Sequence, residues 1–219
     1  MKRFPILLAL FVLISFNGYK AAAQNVHTAI IDGTVYKAIL YGDQSLSIKT
    51  GNKTVFHAKR ADLYLTFEPL AHFTFTDFNG DGYPDLVLQY RSNVPGRNDL
   101  ILYERRLKKF IQVQGFSNYP EAKRLTNTSF YYGYHASGCA DLDWDSDLFK
   151  IENDKIIAVG NISGRLCESS SEPKGIFINK KTGKKLHQLK TLPGNSLNAF
   201  NGDKMQFIDH YWAANYKSF

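Results

Sequence analysis

Phe73-Thr74-Phe75-Thr76-Asp77-Phe78-Asn79-Gly80-Asp81-Gly82-Tyr83-Pro84-Asp85-Leu86-Val87-Leu88-Gln89-Tyr90 alternates, turns and becomes extended again. Phe73 and Phe75 alternate with Thr74 and Thr76, and a period of two puts the phenylalanines on one face of a strand. Leu86 to Tyr90 reads as a second strand. The nine residues between them are rich in Asp, Asn and Gly, so the reading is strand, tight polar loop, strand.

The same pattern extends outward in both directions. Leu63, Leu65 and Phe67 alternate with Tyr64, Thr66 and Glu68, which predicts another strand. Hairpin turns are signalled by Asp32-Gly33 between Ile31 and Val35, by Thr50-Gly51-Asn52 between Ile48 and Val55, and by Asn153-Asp154 between Ile151 and Ile156. Thr182-Gly183 after Ile176-Phe177-Ile178 gives another, and Leu100 to Val113 reads as a hairpin turning near Arg105 to Lys108. Consecutive hairpins predict an all-β chain, folded as an antiparallel sandwich or a small propeller-like array. The exception is the tail from Asp203 to Phe219. There Phe207, Tyr211, Trp212 and Tyr216 fall at near-helical spacing, predicting a short C-terminal helix packed on the sheet. Arg91 to Asn98 and Gly164 to Lys174 read as exposed loops.

The N-terminal stretch has the form of a secretory leader. Lys2 and Arg3 precede an apolar run from Phe4 to Phe16, and small residues Ala21 and Ala23 follow. The expected cut is after Ala23, so residues 1–23 are the signal peptide and 24–219 a single β domain. No cysteine follows the apolar run to take a lipid, and no later run is long enough to span a bilayer. Export to the periplasm or the extracellular space is therefore expected. The formal net charge is +7; Lys2, Arg3 and Lys20 leave with the leader, so the rest of the chain stands near +4. That is too mild for a nucleic-acid binder, and Arg105, Arg106, Lys108 and Lys109 read as a solvated turn. Cys139 and Cys167 are the only cysteines, and an oxidising compartment favours a disulfide closing a loop of about 28 residues, on the order of 3 kcal/mol. Two buried free thiols are the alternative.

The loop Asp77 to Asp85 carries the clearest chemistry. Side-chain oxygens fall at positions one, three, five and nine (Asp77, Asn79, Asp81, Asp85), Gly82 stands at the bend, and the Tyr83 carbonyl is available at seven. Ca2+ takes about six to eight oxygens at roughly 2.3 to 2.6 Å, and a tight loop aims alternate residues at one point. Position twelve is Leu88, where a helix-flanked calcium loop has a bidentate glutamate, and strands flank this loop. The alternative is an Asx-rich turn that caps two strands without a metal.

The run Asp77 to Leu86 resembles the calcium loops of FG-GAP and VCBS-type repeats, which occur in β-propellers; a single copy does not imply a full propeller. A longer stretch, from this loop through Ser137-Gly138-Cys139 and Ser163-Gly164 to the aromatic tail, resembles exported bacterial proteins related to periplasmic lysozyme inhibitors, some of which are immunity proteins against peptidoglycan hydrolases. The resemblance implies a recognition loop bearing serine and glycine that plugs an enzyme cleft. The candidate segments are Tyr131 to Gly138 and Asn161 to Glu168, with Tyr134, His135, Ser137, Ser163 and Arg165 as partner-binding residues. A Cys139–Cys167 bond would bring both together. A buried tyrosine cluster beside ordinary turns is the competing reading.

Asp141, Asp143, Asp145 and Asp147 alternate so that a strand would carry them on one side, with Trp144 pointing into the core. They read as a solvent-facing edge strand defended by charge, or else as part of a metal or contact surface. The chain has no Gly-x-Ser-x-Gly elbow, no His-Glu-x-x-His and no phosphate-cradling glycine loop. The expectation is a non-enzymatic, calcium-stiffened inhibitor of a peptidoglycan hydrolase; the alternative is a secreted hydrolase or carbohydrate-handling protein with structural calcium.

Overall fold

Each paired apolar run returns on itself through a short turn, so the chain builds meanders. The computed structural model describes residues 25–168 and 173–219; the signal-peptide reading of residues 1–23 lies outside the described residues. The first sheet contains β1 (Asn25–Ile31), β2 (Thr34–Leu40), β3 (Leu46–Thr50) and β4 (Lys53–Ala58), in that order. The second repeats the plan with β5 (Leu70–Thr76), β6 (Asp85–Tyr90), β7 (Asn98–Glu104) and β8 (Lys109–Gln112). The third contains β9 (Lys123–Arg124), β10 (Phe130–Tyr132), β11 (His135–Gly138), β12 (Asp143–Glu152), β13 (Lys155–Arg165), β14 (Gly175–Thr182) and β15 (Lys185–Leu192). Its order is β15-β14-β13-β12-β10-β9, with β11 beside β12. All strand pairs are antiparallel, and one helix, α1 (Lys204–Asn215), follows. Asp203 caps it by accepting from the Met205 and Gln206 amides. The antiparallel all-β class and the short C-terminal helix are thus as expected.

The strand faces show how the layers stack. Tyr36, Ala38, Leu46 and Ile48 of the first sheet share a core with Phe73, Leu86, Leu88 and Ile101 of the second. The other face of the second sheet supplies Val87, Leu100 and Leu102 to a core with Phe116, Tyr131 and Phe149. The second sheet is buried on both sides, which is why Leu86-Val87-Leu88 is apolar without alternation. The far face of the third sheet, including Trp144, Leu148, Ile162 and Ile178, packs on Phe207, Ile208 and Trp212 of α1. The layers run sheet, sheet, sheet, helix, an open stack with no closed barrel among the described residues.

Four sequence-based expectations change. Leu63 to Phe67 is not a strand but 3-10 turns at Arg60–Asp62 and Tyr64–Thr66. The Asp62 carboxylate takes the Lys59 amide and the Asp99 carboxylate takes the Tyr64 amide, and these side-chain acceptors divert the backbone from a ladder. Phe67 is left 73% exposed. The two segments read as loops, Tyr131 to Gly138 and Asn161 to Glu168, mostly lie in β10, β11 and β13, because β12 pairs with strands on both sides. For the same reason β12 is an internal strand and not the expected edge. The loop predicted to begin at Gly164 begins only after Arg165, where pairing with β14 ends, and it is not exposed at first: Leu166 is half-buried and Cys167 buried.

Candidate functional site

The acidic loop joins β5 to β6 and is held against the third sheet by Phe78, which stacks on Tyr131 at 5.7 Å and meets Phe116 edge-on at 5.3 Å. Within it the oxygens face the loop's own amides. Asp77 accepts from the Asp81 and Gly82 amides at 3.0 and 2.9 Å, Asn79 Oδ1 from Asp81 at 3.0 Å, and Asp81 from Tyr83 at 2.9 Å. The Asn79 amide also donates to Asp81 at 2.9 Å. Asp85 is fully buried at the start of β6 and accepts from the Phe78 and Asn79 amides and, across the sheet, from Tyr103 at 2.8 Å. Burial pushes its carboxyl up to about 7, against the pull of those amides.

Among the described residues no three carboxylate, histidine or cysteine groups converge as a metal would require. Asn79 and Asp81 form linked Asx turns, each accepting from the amide two residues on, while Asp77 spans the loop to the amides of Asp81 and Gly82. The donor set nevertheless suits a hard cation. Each carboxylate offers about four lone-pair sites, of which the amides occupy two on Asp77 and three on Asp85.

A second constellation lies on the third sheet. Register places His135, Asp145, Ser163 and Phe177 side by side across four strands. Arg165 grips both Asp145 oxygens at 3.0 and 2.9 Å; Ser163 Oγ lies 2.6 Å from Asp145, and Ser137 donates to the same carboxylate. Ser137 also lies 3.4 Å from His135 Nδ1. Of the five residues predicted to bind a partner, His135, Ser137, Ser163 and Arg165 therefore assemble around Asp145. Tyr134 does not: it is buried on the opposite face, its hydroxyl on Asp141. Burial, and then the adjacent Asp141 carboxylate, raise its pKa. Ser163 is 9% exposed within β13 and sits on no protruding loop.

What protrudes is the turn after β11. Residues Ala136 to Ala140 are all exposed, and Gly138, Cys139, Ala140 and Asp141 all have positive φ (123°, 52°, 49° and 71°). Three consecutive non-glycine residues in the left-handed region are costly and persist only where the surroundings over-determine them. Here the surroundings do. Cys139 is bonded to Cys167, confirming the expected pairing, and Asp141 is held by Tyr134 and by Lys204 of α1. Asp141 thus leaves the aligned row expected from the sequence and anchors the turn. Burial works against its ionisation, but Lys204 and Tyr134 outweigh this and hold its pKa below the usual value. Asp143 accepts the Leu166 and Cys167 amides at 2.9 and 3.1 Å, fixing the far side of the disulfide.

No family model matches the chain. No curated protein matches it either. Among solved structures it is similar to one described as a Xanthomonas type IV secretion system related protein, at 14% identity and a TM-score of 0.47 over 77% of this chain and 94% of that one.

Residue patterns gave no sign of the backbone strain at 138–141 or of the anchor Lys204, 63 residues from Asp141. The signal that was present is Ser-Gly-Cys, a small exposed cluster ending in a bonded cysteine. Asp145 was visible only as one of four alternating aspartates; its role as hub depends on β11, β12 and β13 being neighbours.

Proposed function

We propose that this chain is an exported, non-enzymatic binding protein that blocks a peptidoglycan hydrolase of the lysozyme type, with the turn Ala136 to Ala140 entering the enzyme's cleft. The observation that carries this reading is the exposed, strained turn pinned by a disulfide, by Asp141 and by Asp145. A segment ordered before binding loses little further entropy on docking, which suits an inhibitor. Its residues are small, as a narrow glycosidase cleft between two carboxyl groups requires. The resemblance on Ser137-Gly138-Cys139 and Ser163-Gly164 supports the same partner class, and the disulfide fits an oxidising compartment.

The acidic loop, in this proposal, takes one Ca2+ through Asp77, Asn79, Asp81, the Tyr83 carbonyl and Asp85, stiffening the junction of the second and third sheets where Phe78 is lodged. A bound ion would supply positive charge to the Asp77, Asp81 and Asp85 carboxylates, which now accept from backbone amides.

The test is to add mature protein to a panel of lysozymes and other peptidoglycan hydrolases and to follow the turbidity of a cell-wall suspension. Protection by the protein, lost in Ala140→Arg with its melt unchanged, is the expected result, since Ala140 is exposed and already holds its positive φ without being glycine. Clearing by the protein alone, or no protection against any member of the panel, overturns the reading.

A further inference from the structure

Beyond the clamped turn, the third sheet carries a surface that hydrolase blocking leaves unused. Its face toward the second sheet is apolar at one end, where Phe149, Ile151, Ile156 and Ala158 are covered. Further along the same strands the face turns polar and holds a shallow depression of about 290 Å³, lined by Ser163, Arg165, Pro173, Phe177, Asn179 and Gln188 and by no residue of the second sheet.

Three features of this depression point to a ligand. Asn161, Ser163 and Asn179 are 6%, 9% and 7% exposed, an unusual burial for polar residues on a sheet face that no other sheet covers. They are also locked in place. Asn179 donates to Asn161 at 3.3 Å, Asn161 donates to Asp147 at 3.2 Å, and Ser163 bridges Asn161 and Asp145. Such mutual bonding fixes rotamers as a binding site needs. Finally, Phe177 belongs to neither adjoining core and presents a half-buried ring among amides.

Charge narrows the ligand class. Asp145 is matched by Arg165, and Asp147 by Lys181 at 3.6 Å, so among the described residues both carboxylates of this face are compensated. An anion or cation has no counter-charge to meet. A neutral ring with one apolar face and a rim of hydroxyls fits: the C–H face stacks on Phe177 while planar amides serve the rim. The depression lies at the small end of ligand sites, about the size for one sugar ring, and it is open along the sheet, so a chain can continue beyond it.

We propose that this face binds a neutral glycan chain, with one pyranose seated on Phe177 and its hydroxyls held by Asn179 and Gln188. This goes beyond the blocking reading and stands or falls separately, since Phe177 and Gln188 lie outside the clamped turn.

Calorimetric titration with neutral tetrasaccharides tests it: β-1,4-linked glucose, β-1,4-linked N-acetylglucosamine and α-1,4-linked glucose. At least one is expected to bind. Phe177→Ala should weaken it about tenfold or more, while Phe177→Tyr preserves it. Gln188→Ala, at an exposed position, should weaken the same saccharide by a smaller factor. Protection against hydrolases should be unchanged in both Phe177→Ala and Gln188→Ala. Absence of binding by all three saccharides, or binding that survives both Phe177→Ala and Gln188→Ala, overturns the proposal.

Discussion

Gly164 shows what a single missing carbon allows. A Cβ built there would lie 2.2 Å from Trp144 Cε2 and 2.3 Å from its Nε1, and Trp144 is fully buried with nowhere to move. Gly164→Ala is expected to lower stability by about 1–3 kcal/mol by overpacking, read from urea denaturation. Two buried carboxyls set a pH dependence at the same scale. Burial raises Asp85 to about 7 and raises Asp99 too, although Asp99 accepts from the Tyr64 amide and the Tyr90 hydroxyl. The folded state therefore holds protons that the unfolded chain gives up near pH 4. With fewer protons bound when unfolded, stability falls as pH rises. Metal-free protein should melt at progressively lower temperature from pH 4 to about pH 7, and Asp99→Asn should remove only part of that slope. A flat or rising melting temperature across this window would contradict the assignment.

At the scale of elements, the exposed turn depends on its clamps. Replacing Cys139 and Cys167 together by serine is expected to cost about 3 kcal/mol of stability, measured by denaturant titration, since the bond closes a 28-residue separation. It should also release the positive-φ residues 139–141, so inhibition should fall even where the variant remains folded. The elements also show which local signals survive. Asp32-Gly33 and Asn153-Asp154 form their predicted two-residue turns with positive φ at each residue, because that chemistry is local. Leu63 to Phe67 failed because Asp99, 35 residues from Tyr64, captures its amide, and no pattern of alternation encodes such a partner.

Across the whole molecule, the open stack leaves the acidic loop where the second and third sheets meet, tied to the third by Phe78. An ion bound there would act on the packing of both. Added Ca2+ should raise the melting temperature and chelator should lower it, with Asp81→Ala insensitive to either. Identical melts with and without chelator would remove calcium from the account. The same stacking explains the third sheet's divided face: the second sheet covers one end, and the other end is free for polar chemistry.

The sequence by itself determined the hairpins, the all-β class and the C-terminal helix, because each follows from neighbours in the chain; with only two cysteines it favoured their pairing, and the structure shows the bond. It also marked the oxygens of the acidic loop. Tertiary structure alone decided where those oxygens point, that β12 lies inside its sheet, and that residues from β11, β12 and β13 gather on Asp145. Strand order and sheet stacking bring together groups far apart in sequence, and alternation along one strand says only which face a residue takes, not what stands opposite it.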